Sequence, residues 1–108
     1  MNNQNIQLIV NKLDDLISYL ENNNLESFFQ NKNELCDMII SENSKDFNDN
    51  IKYDIEKIIP NDLIDNFKNF IKYIKVLRTM KSPDGNNDYT RYTLDNIKYI
   101  KKEIFKDY

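Results

Sequence analysis

Ile6-Gln7-Leu8-Ile9-Val10-Asn11-Lys12-Leu13-Asp14-Asp15-Leu16-Ile17-Ser18-Tyr19-Leu20 is the stretch whose reading decides the fold. Its apolar residues Ile6, Ile9, Val10, Leu13, Leu16, Ile17 and Leu20 recur at three- and four-residue intervals. An α-helix turns about 100° per residue, so this spacing gathers them into one stripe of an amphipathic helix. Asn22-Asn23-Asn24 interrupts the stripe. Leu25, Phe28, Phe29, Lys32, Leu35, Cys36, Ile39 and Ile40 then resume the same period in a second helix that ends near Ser41-Glu42. So short a connection predicts that the two helices pack as antiparallel neighbours.

Outward from this pair the pattern repeats. Asn43-Ser44-Lys45 reads as a polar turn, and Phe47, Ile51, Ile55, Ile58 and Ile59 outline a third helix stopped by Pro60. Asn61-Asp62 offers a cap for a fourth helix, whose core face is Leu63, Phe67, Phe70, Ile71, Ile74 and Leu77 and which runs to Met80. Ser82 to Asp88 contains the only glycine, Gly85, and the second proline, and reads as a loop. A last helix starting at Thr90 or Thr93 carries Leu94, Ile97, Ile100, Lys101 and Ile104, with Phe105 beside the stripe. Tyr89-Thr90-Arg91-Tyr92-Thr93 has the β-branched and aromatic content of a strand but no sustained alternation, and is read as loop or helix start. The expected architecture is a single all-α domain over residues 1–108, a four- or five-helix bundle.

Composition narrows the function classes. Hydrophobic residues make up 40% and charged residues 31% of the 108, ordinary globular usage that argues against disorder. No apolar run approaches the roughly 18 residues of a membrane span, and the N-terminal Met1-Asn2-Asn3-Gln4-Asn5 lacks a secretory pattern. A cytoplasmic setting without membrane attachment is the expectation. Cys36, the single cysteine, excludes an internal disulfide and any zinc site built on cysteine pairs, and fits a small buried residue better than a nucleophile.

The chain contains no histidine, which removes Ser-His and Cys-His catalysis, histidine-ligated metals and the commonest general base near neutral pH. One glycine cannot form a phosphate-binding loop or a dinucleotide fingerprint. Asp14-Asp15 is read as a solvated helix face rather than an acid–base pair. No enzyme activity, catalytic residue, metal or cofactor is therefore expected. Asp84, Asn86, Asp88, Thr90, Tyr92 and Asp95 do fall at the ligand positions of a calcium-binding loop, but Tyr89 replaces the required glycine and Asp95 the bidentate glutamate. An ordinary polar turn is favoured.

Charge is distributed unevenly. Residues 1–66 hold 5 lysines against 13 acidic residues, whereas residues 67–108 hold 10 basic residues against 5 acids. On the fourth helix Lys68, Lys72 and Lys75 share one face, and Lys98, Lys101, Lys102 and Lys106 decorate the last helix. Such faces could contact phosphates, could be solvated, or could complement the acidic half within the fold. Because the net charge is −3, nucleic acid is the disfavoured partner.

The third helix carries the candidate binding residues. Asp46, Asp49, Tyr53 and Glu56 fall in one narrow arc opposite Phe47, Ile51, Ile55 and Ile58, which would display an aromatic among carboxylates. Tyrosine supplies rigid contact area and a hydroxyl at interface hot spots, and surrounding acids steer a basic partner. The alternative is that Asp46 and Asp49 cap and charge the helix N-terminus while Tyr53 lies against a neighbouring helix.

This outward tyrosine among Asp46, Asp49 and Glu56, on a short acidic helical chain, resembles the toxin-binding arrangement of bacterial immunity proteins that neutralise nuclease toxins. Lys52 and Asp54 flank Tyr53 where some of those proteins carry paired tyrosines. The polar segment Ser82 to Asp88 before the last helix is loosely similar to immunity proteins of membrane-active bacteriocins. The resemblance implies a non-catalytic inhibitor that occludes a cognate toxin, with a basic toxin domain as protein partner. The runner-up classes are a phage- or plasmid-encoded inhibitor or regulator of a host defence complex, and a nucleic-acid-binding helical protein.

Overall fold

The structure, a computed structural model, describes residues 4–40, 48–58, 64–79 and 87–106. Within them lie five helices and no strand: α1 (Gln4–Glu21), α2 (Leu25–Ile39), α3 (Asp49–Ile58), α4 (Ile64–Thr79) and α5 (Asn87–Ile104). The all-α bundle expected from the sequence is the observed class. Packing runs from α1 to α2, α2 to α4, α4 to α5 and α5 back to α1, so these four helices close a ring, and α3 docks against α1. Among the described residues no helix is long and apolar enough to cross a membrane.

The α1 stripe is the spine of the core. Ile6, Ile9, Val10, Leu13, Leu16 and Leu20 are all buried, and they join Phe28, Leu35, Cys36 and Ile39 of α2, Ile51 and Ile55 of α3, Phe70, Ile74 and Leu77 of α4, and Ile97, Ile100 and Ile104 of α5 in one cluster. Burying each such side chain stabilises the fold by about 1.5–3 kcal/mol relative to exposure. Phe105 of the α5 end meets Phe70 of α4 edge to face, ring centroids 5.8 Å apart, and the Cys36 thiol donates to the Ile74 carbonyl at 3.8 Å, linking α2 to α4.

The three asparagines between α1 and α2 have a definite geometry. Asn24 N–H donates to the Tyr19 carbonyl and Asn23 N–H to the Leu20 carbonyl, while Asn23 adopts a positive φ of 55°. This is the Schellman termination, which needs a left-handed residue after the helix; asparagine tolerates that region better than most non-glycine residues. The Asn24 side chain then accepts from Ser27 N–H and caps α2. The hairpin is closed laterally by Lys12, whose ammonium donates to Glu34 at 2.6 Å and to Asn31 at 3.3 Å across α1 and α2.

Lys32 occupies a core position of α2, as its place in the apolar period requires, and is only 2% exposed. Its ammonium lies 5.1 Å from the centroid of the Phe29 ring. Burial pushes its pKa below the ordinary 10.5, opposed by the nearby charges of Cys36 and Asp37.

Several expected boundaries move. α2 ends at Ile39 and α3 begins at Asp49, while the expected ends of α3 at Ile59-Pro60 and of α4 at Met80 lie outside the described residues. The proposed cap Asn61-Asp62 and most of the polar segment from Ser82 lie outside the described residues. The largest shift is α5, which begins at Asn87 rather than at Thr90 or Thr93, so of the two readings of Tyr89 to Thr93, loop or helix start, the helical one holds. Thr93 explains why: it is 4% exposed and stands on the same stripe as Ile97, Ile100 and Ile104, so packing overrides the β-propensity of the segment.

Candidate protein-binding face

The candidate contact is built on α3, and the first question is what fixes that helix. Asn48 N–H donates to the Ile39 carbonyl at 2.6 Å, tying the start of α3 to the end of α2. Its side-chain oxygen accepts from Asn50 N–H at 3.0 Å and Ile51 N–H at 3.3 Å, so Asn48 is the cap. Of the alternative in which Asp46 and Asp49 cap and charge the helix N-terminus, Asp49 supplies the charge rather than the cap, since it sits inside the first turn where a carboxylate favours the N-terminal dipole, and Asp46 lies outside the described residues. Inward, Ile51 and Ile55 are buried and Ile58 is half-buried. Asn5 of α1 donates its amide to the Asp54 carboxylate at 3.0 Å, which pins α3 beside the N-terminal end of α1.

With that face turned in, Asp49, Tyr53 and Glu56 point to solvent together, at i, i+4 and i+7. Tyr53 is 59% exposed, so the alternative in which its ring packs against another helix does not hold. The surroundings of the ring are less acidic than the arc alone suggests. Lys57 places its ammonium 4.1 Å from the Tyr53 ring centroid, and Lys52 approaches Glu56 at 4.0 Å one turn away. Within α3 three carboxylates face two ammonium groups. Asp49 is thus the carboxylate of the arc that has no ammonium within ion-pairing distance among the described residues.

The basic surfaces divide in two. On α5, Lys101 pairs with Asp14 and Lys98 approaches Glu21 at 3.8 Å, so part of the C-terminal positive charge does complement the acidic half inside the fold. On α4, Lys68, Lys72 and Lys75 are exposed on one face. The calcium-loop pattern does not correspond to a loop: Asp84 and Asn86 lie outside the described residues, while Asp88, Thr90, Tyr92 and Asp95 belong to α5. A calcium loop wraps its backbone around the ion, which a continuous helix cannot do. Among the described residues no group of three or more His, Cys, Asp or Glu converges to hold a metal.

Two exposed aromatics escaped the reading of the sequence. Tyr92 and Tyr99 of α5 are 67% and 51% exposed and stand seven residues apart on the outer face, with exposed Asp95 between them. Their position was implicit in the buried stripe through Thr93, Ile97 and Ile100, and was hidden only by starting the helix too late. Comparison with protein-family models, with curated proteins and with solved structures finds no match to this chain.

Proposed function

We propose that this chain is an immunity-type inhibitor that neutralises a cognate bacterial toxin by stoichiometric occlusion, with Asp49, Tyr53 and Glu56, and Asp46 preceding them, as the contact. The observation that carries the proposal is Tyr53, held outward between two carboxylates on a helix capped at Asn48 and pinned to α1 through Asn5 and Asp54. An anchor on a short, doubly fixed helix loses little conformational freedom on binding, and that is the condition under which one aromatic contributes several-fold to affinity. Asp49 and Glu56 would steer a basic toxin surface toward it.

The test is affinity capture from the source organism with the wild-type chain and the Asp49→Lys, Glu56→Lys variant side by side. The expected result is a toxin that wild type retains and inhibits at one-to-one stoichiometry and that the variant releases. Equal retention and equal inhibition by the variant would remove α3 as the contact. A captured defence complex in place of a toxin would move the chain to the class of defence inhibitors.

A further inference from the structure

The outer face of α5 is used neither by the core nor by the proposed contact on α3. It carries two of the exposed large apolar side chains, Tyr92 and Tyr99, which are 67% and 51% exposed. Seven residues at 1.5 Å each set the two about 10 Å apart along the helix, two turns along one side. Cations bracket the pair. Arg91 precedes Tyr92, Lys102 follows Tyr99 by about one turn, and Lys106 comes just after the helix. All three are exposed, and none has a carboxylate within 4.0 Å among the described residues. Exposed Asp95 between the rings and half-buried Glu103 oppose them. On the neighbouring α1, Asp14 and Glu21 are already matched by Lys101 and Lys98.

We propose that this face binds a single-stranded nucleic acid, with bases stacked on Tyr92 and Tyr99 and phosphates of the same strand on Arg91, Lys102 and Lys106. A ring on which a base stacks has to be open to solvent, and these two are, whereas Phe28, Phe70 and Phe105 are buried in the core. In a duplex the faces of the bases are covered by their neighbours, so only an unpaired strand can use both rings. A short acidic peptide docks in a groove between helices or along a sheet edge, and the outer side of one helix offers it neither. Stacking needs no groove. The net charge of −3 opposes a polyanion at long range. At physiological salt that repulsion is screened over about 8 Å, and the molecule measures 40 × 30 × 23 Å, so the strand responds to the cations beside it. Stacking and phosphate contacts are indifferent to the sugar, so DNA and RNA strands should bind alike. The face lies on a different helix from Asp49, Tyr53 and Glu56, so the proposal stands whether or not the toxin-inhibitor reading does.

The experiment is fluorescence anisotropy of the full chain with a labelled oligothymidylate of about twelve nucleotides, within the usual site sizes, titrated from low salt upward. Saturable binding is expected, with log K falling against log salt at a slope of about −2 for three cations. Arg91→Gln, Lys102→Gln should bring that slope to about −0.7. Tyr92→Ala, Tyr99→Ala should weaken binding about tenfold or more, while Tyr92→Phe, Tyr99→Phe keeps the rings and should retain it. Circular dichroism checks that each variant folds, and if the double alanine chain does not, the single substitutions read the same loss. Oligouridylate should bind within about threefold of oligothymidylate. The Asp49→Lys, Glu56→Lys chain should bind no more weakly than wild type, which separates this face from the contact on α3. The proposal is overturned by no binding up to the solubility limit at low salt, by equal binding of the alanine chains, or by an unchanged slope in the glutamine chain. It is also overturned if only one of the two strands binds, or if a duplex, polyglutamate or phosphatidylserine vesicles bind as tightly.

Discussion

Lys57 holds its ammonium 4.1 Å from the centroid of the Tyr53 ring, one helical turn further along α3. The cation covers the ring's negative face and limits its rotamers without burying it, so Tyr53 is oriented and still 59% exposed. A side chain so placed contributes little to folding and much to an interface that uses it. Tyr53→Ala is expected to change unfolding free energy by no more than about 0.5–1 kcal/mol, yet to weaken the partner complex by about 2 kcal/mol or more. Urea denaturation beside calorimetric titration against the captured partner checks both numbers. A comparable loss in the two would mean that the ring is structural.

Asn48 is the residue on which the placement of α3 depends, because it accepts two N–H groups of the first turn and donates its own to Ile39. Asn48→Ala removes the side-chain acceptor and should cost about 1 kcal/mol, while Asn48→Asp should retain most of the stability. Hydrogen exchange should accelerate in α3 before it does in α2. Uniform acceleration across the bundle would show that α3 opens only with the whole fold.

How much of this was legible beforehand depends on which physical signal sets each feature. The α1 stripe was read in full because burial along one helix face is the strongest local pattern there is, and Lys32 was correctly placed on the core face by the same period. The outward side of Tyr53 followed from Ile51 and Ile55. The ammonium over its ring did not, since that depends on how two flexible side chains settle. The α5 start was missed because Thr90, Tyr92 and Thr93 favour strands locally, and only tertiary packing of Thr93 decides otherwise. The cap at Asn48 was obscured because Asp46 and Asp49 are equally good capping residues, and the choice among them is made by the tie to Ile39.

Phe70 and Phe105 join α4 to the end of α5 through an edge-to-face contact at 5.8 Å. Both rings are buried, so Phe→Leu at either site keeps most of the apolar volume but removes the ring quadrupole. A double-mutant cycle from Phe70→Leu, Phe105→Leu and the pair should give a coupling of about 0.5–1.5 kcal/mol in thermal or urea unfolding. Coupling near zero would mean that the two rings merely fill adjacent space.

Lys32 makes the fold's stability respond to alkaline pH, and the sign follows from the direction of its shift. Burial lowers its folded pKa below the 10.5 of the unfolded chain, so between the two values the unfolded state binds more protons. Stability therefore rises with pH through that window: the cost of the buried ammonium is present in full below the lowered pKa and is gone above 10.5. Lys32→Met keeps the stem against Phe29 and removes the charge, so at neutral pH it should be neutral or stabilising, whereas Lys32→Ala should destabilise by opening a cavity. The decisive measurement is the difference in unfolding free energy between Lys32→Met and wild type, followed from neutral pH upward. The advantage of methionine should shrink as pH approaches 10.5; a difference that stays constant with pH would mean that the Lys32 ammonium is as well solvated in the fold as in the open chain.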